Sequence, residues 1–137
     1  MILKQRIPMA ALQTALYNIL IANQATPVYD NVPRNAAADY ITFGSYTWKA
    51  NGAKSVAIGD ATLNVHIYSS QKGKKIVNQI ADAVASIVSA VALDLSTDGF
   101  RVLSQWVDMI EAFPDEELDG YHGVITVAAK IQDMGGV

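Results

Sequence analysis

His66 and His122 are the only imidazoles in the chain. Imidazole changes charge near neutral pH and binds transition metals, so these two are the first candidates for a base or a ligand. Each falls in a stretch that reads as a β-strand, and neither has a His, Cys or Asp at a recognisable metal-binding spacing. Both are therefore expected as polar groups on a sheet surface or an interface. Asp30, beside Tyr29, has the composition of a general base. Asp in such a place more commonly caps the following turn by accepting from nearby backbone N–H groups. No serine sits in a nucleophile elbow. The absence of cysteine removes thiolate chemistry and any disulfide framework, which suits a reducing compartment.

Charged and aromatic clusters lead to the same place. The acidic run PDEELD, Pro114–Asp119, lacks the alternating ligands and the bend glycine of a calcium loop and reads as a solvated loop. KGKK, with Lys72, Lys74 and Lys75, lacks the glycine spacing and terminal hydroxyl of a phosphate-binding loop. A basic helix start runs against the helix dipole, which hints at an acidic partner or DNA beside an ordinary solubility patch. Tyr40, Tyr46, Trp48, Tyr68 and Trp106 could stack a ligand, but aromatics at alternating strand positions belong more often to a core or an interface. The residues thus call for no catalytic group, no metal and no cofactor.

The elements that position these groups follow from periodicity. PMAALQTALYNILIANQ, Pro8–Gln24, repeats apolar residues at Met9, Leu12, Leu16, Ile19 and Leu20, and so predicts a helix with Pro8 at its first position and a stop before Pro27. After a short Val28–Tyr29 element and a turn at Pro33, YITFGSYTWKA reads as a strand. Strict alternation would put Ile41 and Phe43 on one face and Tyr40, Thr42, Tyr46 and Trp48 on the other. A turn is expected at Asn51–Gly52. Asp60–Ser70 alternates cleanly, with Leu63, Val65 and Ile67 on one side. A second helix is expected at about Lys74–Val91, with Ile76, Ile80, Ala83, Val84, Ile87 and Val91 as its buried stripe. FRVLSQWVDMIEA and YHGVITVAAKIQD read as the last two strands, the latter with Ile125, Val127, Ala129 and Ile131 on one face, and MGGV as a loose tail. The expected fold is a single α+β domain over residues 1–137: an antiparallel sheet of about four strands with two helices on one face.

Composition says what the other face is for. Of 137 residues, 51% are hydrophobic and 17% charged, against roughly 25% charged in ordinary soluble domains. A domain this small cannot bury so much apolar surface alone, so part of it is expected to be covered by other subunits. The net charge of −3 disfavours gripping a duplex, which needs a basic face. The start MILKQRIPMA is a poor signal peptide. The apolar stretch Ile76–Leu93 is broken by Asn78, Gln79, Asp82, Ser86 and Ser89 and is no membrane span.

Taken in order, LQTALYNIL, VYDNVPRNAAADYITFG, LNVHIYSSQKGKKIVNQIADAV and GYHGVITVAAKI resemble the tail completion, or tail terminator, proteins of long-tailed bacteriophages. The resemblance covers nearly the whole chain and lies in the order of motifs rather than in any one of them. It implies a structural virion protein in the tail or neck, made in the host cytoplasm. Such proteins form a ring, six subunits in this family, at the head-proximal end of the tail tube. The ring ends tube growth, docks the head connector and lets DNA pass without specific binding. The implied partners are copies of the chain, the tail tube protein and the connector or stopper protein. A head-side connector or minor tail protein is the alternative reading, and a small-ligand or metal-binding module a remote one.

The family has no catalytic residues to carry over. Candidate contact residues are Tyr29, Pro33 and Arg34 in the stiff stretch before the first long strand, then Tyr46, Trp48 and Trp106 among the aromatics. Lys54 in the loop Trp48–Ile58 and Asp115, Glu116 and Glu117 in the loop Phe113–Gly120 complete the set, because loops on a rigid scaffold usually carry recognition. Pro33 fixes a backbone angle, and Ala36–Ala38 permit close approach, either within the subunit or against the next one.

Overall fold

The computed structural model describes residues 6–51, 57–117 and 119–135. Its elements are α1 (Met9–Asn23), β1 (Val28–Tyr29), β2 (Asp39–Ala50), β3 (Ile58–Ser69), α2 (Lys75–Ala90), a 3-10 turn at Ser96–Asp98, β4 (Phe100–Asp115) and β5 (Gly120–Asp133). The strands form one sheet in the order β1-β2-β3-β5-β4. All pairs are antiparallel except β1 with β2, which runs parallel and matches Val28 to Ile41 and Tyr29 to Thr42. The sheet therefore has five strands and is mixed, where about four antiparallel strands were expected. The difference is the Val28–Tyr29 element. The Pro33 turn, closed by Ala36 N–H on the Pro33 carbonyl at 3.2 Å, folds the chain back so that Ile41 N–H reaches the Pro27 carbonyl at 2.8 Å.

Both helices cover one face. α1 lies over β1 and β2, and α2 over β3, β5 and β4. The core between the layers holds Leu12, Leu16 and Leu20 of α1, Leu63, Val65 and Ile67 of β3, Val77, Val84 and Val88 of α2, and Ile125, Val127 and Ile131 of β5. β3 and β5 are the cleanest case. Their alternation, read from sequence, is the alternation of their burial, because they sit mid-sheet with no bulge between them.

Local departures have local causes. Pro8 is the residue before α1 rather than its first member, and its carbonyl accepts from Leu12 N–H at 2.8 Å. The buried face of α2 is Val77, Ile80, Ala81, Val84, Ile87 and Val88, so Ile76, Ala83 and Val91, expected within the stripe, lie at its border and are only half-buried. β4 runs three residues further than expected, through Phe113, Pro114 and Asp115. Pro114 is tolerated because β4 is an edge strand with one side unpaired. The acidic loop shrinks to a tight turn, with Asp119 at a φ of 51°, a left-handed conformation that Asp adopts more readily than most residues.

Candidate assembly surfaces

The face of the sheet away from the helices is crossed by a row of rings, one from each strand. Tyr40 lies opposite Tyr68, Tyr68 opposite His122, and His122 opposite Phe113. Ring centroids are 5.2, 4.2 and 4.8 Å apart along that row, and Tyr29 extends it at 5.6 Å from Tyr40. Direct cross-strand aromatic pairs each contribute about 0.5–1.5 kcal/mol beyond their burial. The row therefore braces all five strands across their hydrogen-bonding direction.

His66 joins this row from the side. Its Nδ1 lies 2.7 Å from His122 Nε2, and the Asp115 carboxylate is 4.0 Å from His122 Nδ1. Burial depresses both imidazoles below their ordinary value. For His122 the charge of His66 adds to the depression, and Asp115 opposes it. Burial likewise raises the phenols of Tyr40 and Tyr68. Sequence reasoning placed each histidine on a sheet surface, as found, but not against the other, because their register depends on strands 56 residues apart. The arrangement is a hydrogen-bonded pair within a ring stack. Among the described residues no three His, Cys, Asp or Glu side chains are grouped to hold a metal ion.

Asp30 is held by a side chain of the first helix. Its carboxylate accepts from Gln13 Nε2 at 2.5 Å, tying the loop back to α1 at the rim of an open hollow of about 410 Å³ lined by Ala10, Thr14, Tyr17 and Phe43. Tyr29 is likewise engaged within the subunit. Its hydroxyl accepts from Ala37 N–H at 3.2 Å, and its carbonyl accepts from the Thr42 hydroxyl at 2.7 Å. Pro33 and Arg34 are exposed on that loop. Lys54 lies outside the described residues. Asp115 is half-buried beside the ring row, while Glu116 and Glu117 are exposed in the turn after β4. Across the same end of the sheet Lys72 makes an exposed ion pair with Asp119 at 3.7 Å, so at least this lysine of the basic helix start meets an acid of its own chain.

The aromatic residues of β2 are the main correction. Phe43 lies opposite Val65 but Tyr46 lies opposite Leu63, three residues on one strand against two on the other. That bulge at Gly44–Ser45 reverses the alternation. Tyr46 and Trp48 therefore share the helix-side face with Ile41 and Phe43, rather than the outer face expected from strict alternation. Trp48 is half-buried against the core, and its indole occupies the space a side chain on Gly59 would need. Tyr46 remains 52% exposed. At the bulge Gly44 is required sterically: a Cβ there would meet the His66 ring.

Trp106 does face outward, over Ala128. It belongs to a concentration of exposed apolar side chains on one strand: Leu103, Trp106, Met109 and Ile110, all on β4 and all at least 40% exposed. β4 is also an edge strand of 16 residues. A long edge with apolar side chains is an adhesive surface that monomeric proteins avoid.

The family model of the tail completion protein gp17 matches residues 10–132. The chain belongs to that family. The match spans α1 to the end of β5, so the whole fold belongs to the tail completion domain. A chain of the solved virion of a native gene transfer agent particle is 25% identical and superposes with a TM-score of 0.74, the match covering 90% of this tail completion chain and 96% of that one. No curated protein sequence matches. The family expected from the order of motifs is the family found. No helix among the described residues is long and apolar enough to cross a membrane.

Proposed function

We propose that this tail completion protein assembles as a ring, of six subunits, on the head-proximal end of a phage-type tail tube. There it ends tube polymerisation and joins the tail to the head connector, with genomic DNA passing through the hole unbound. The observation that carries this reading is the match of the entire domain, residues 10–132, to a tail completion family. The likeness to a chain of a gene transfer agent virion supports it. So does the exposed apolar edge of β4, which leaves the domain unfinished as a monomer. The net charge of −3 is compatible with a conduit, because a basic hole would hold the passing duplex.

The reading is tested by light scattering of the purified protein, followed by negative-stain imaging with purified tail tubes. Rings seated at one tube end, together with arrested elongation when tube subunits are added, are the expected outcome. Bare tube ends that continue to grow overturn it, and attachment only to filled heads assigns the protein to the head side of the joint.

A further inference from the structure

The geometry points to a specific joint between copies: the free edge of β4 on one subunit adds to the free edge of β2 on the next, continuing the sheet from subunit to subunit. This rests on the ring reading and names the strands that close it.

Four features place these two edges together. Along the order β2-β3-β5-β4 each strand is antiparallel to its neighbour, so the two edges run in opposite directions. A copy rotated into place beside β4 then offers β2 antiparallel to it, and the alternation continues unbroken. Second, the edges are free at the same level of the sheet. β1 covers β2 only at Ile41 and Thr42, leaving Ser45–Ala50, among the described residues, without a strand neighbour on the side away from β3. Reading the register across, Tyr46 aligns through Leu63 and Val127 with Val107, and Ala50 through Gly59 and Ile131 with Val102. The uncovered part of β2 therefore stands level with the part of β4 that exposes Leu103 and Trp106.

Third, the irregularities sit on the joining strands. β2 carries one bulge and β4 carries two, while β3 and β5 pair without interruption. Bulges bend strands and increase local twist, which is how sheets are curved towards closure. Fourth, the charges permit a head-to-tail joint. Lys49 is exposed on the uncovered part of β2, and Asp108 and Glu111 are exposed on β4. None of the three makes an ion pair with a described residue. In the register above Lys49 falls at the level of Ser104 and Asp108 next to the level of Tyr46, so the joint sets no like charges opposite one another. A joint between two different surfaces is heterologous, and such a joint gives a ring where the rotation from copy to copy closes.

The absence of cysteine makes the test direct. Thr47→Cys on β2 is combined in turn with Ser104→Cys, Asp108→Cys or Glu111→Cys on β4, and each double variant is oxidised with copper phenanthroline, free and on tail tubes. These positions are exposed, and a thermal melt verifies that each variant folds. A ladder of dimers, trimers and larger covalent species from at least one double variant is expected. Mixing the two single variants should give mixed dimers only. Ile110→Lys in the double variant should abolish the ladder. Homodimers from a single β4 cysteine overturn the joint in favour of β4 against β4. The absence of any ladder from protein that still caps tubes overturns the joint and leaves the ring reading standing. Absence of both ladder and capping overturns the two together.

Discussion

His66 Nδ1 and His122 Nε2 lie 2.7 Å apart on the outer face of the sheet, with Tyr68 stacked on His122 at 4.2 Å. One ring donates and the other accepts, so the contact requires that at least one imidazole be neutral. The groups facing the pair are Tyr68 of the same strand as His66, Tyr40 and Thr42 of β2, and Phe113 and Asp115 of β4.

Acidification should therefore loosen the fold before the carboxylates titrate. Both histidines have folded values below the unfolded value of 6.5. As pH falls through 6.5 the unfolded chain takes up protons that the folded chain resists, so stability is full above 6.5 and declines as pH falls from there through the lower folded values. Urea midpoints measured across that window should fall for the wild type and flatten in His66→Gln. An NMR titration of His66→Gln should show His122 titrating at a higher pH than in the wild type, because the neighbouring charge is gone and Asp115 remains.

Trp48 should behave as a core residue. Trp48→Asp would lower monomer stability as well as any assembly. Gly59→Ala, which sets a methyl against the indole and 2.8 Å from the Lys49 carbonyl, should cost about 1–3 kcal/mol as overpacking. Chemical denaturation measures both. A Trp48→Asp variant with unchanged monomer stability would contradict the bulge at Gly44–Ser45.

Gln105 holds the end of α2 to the sheet. Its Nε2 donates to the carbonyls of Val88 and Val91 at 2.8 and 2.7 Å, and its Oε1 accepts from Leu93 N–H at 2.9 Å. Gln105→Leu keeps the bulk but leaves these part-buried groups unpartnered, so a loss of about 1–3 kcal/mol is expected. Amide exchange should quicken at Leu93 in particular.

Arg6 fastens the strand ends near Phe100. Its Nη2 and Nε donate to the two Asp133 carboxylate oxygens at 2.6 and 3.2 Å, other guanidinium contacts reach the carbonyls of Asp98 and Gly99, and the group lies 4.3 Å over the Phe100 ring. The hydrogen bond from Arg6 holds the Asp133 carboxyl below its ordinary 3.8. Its contribution is present above that pH and is lost as pH falls below it. Asp133→Asn should lower the urea midpoint at pH 7, and the difference from the wild type should shrink below pH 4. Arg6→Lys, which loses the planar fork, should resemble Asp133→Asn rather than the wild type.

The sequence was legible where structure is local and regular. Leu63, Val65 and Ile67, or Ile125, Val127 and Ile131, declare their face because nothing interrupts their strands. Tyr46 and Trp48 did not, because a single extra residue at Gly44–Ser45 inverts every side chain beyond it, and only the glycine marks the place. Val28–Tyr29 was visible as an element but too short to announce its parallel partner. The ring row and the histidine pair were hidden for a different reason. They exist only through the register of β3 against β5 and of β5 against β4, which no local pattern encodes. Gln105 was missed because a polar residue in an edge strand reads as solvent-facing until the end of α2 is seen above it.

Because β5 follows β4 in the chain yet lies between β3 and β4 in the sheet, its arrival decides when the molecule becomes usable. During translation, β4 has no hydrogen-bonding neighbour until β5 leaves the ribosome, and the segments joined across the middle are distant in sequence. A nascent chain stopped before Gly120 holds the early hairpin and β4 as disconnected pieces. Chains that lack β5 therefore do not display β4 as an ordered outer strand, and on the proposed joint they would have nothing to offer a neighbouring copy.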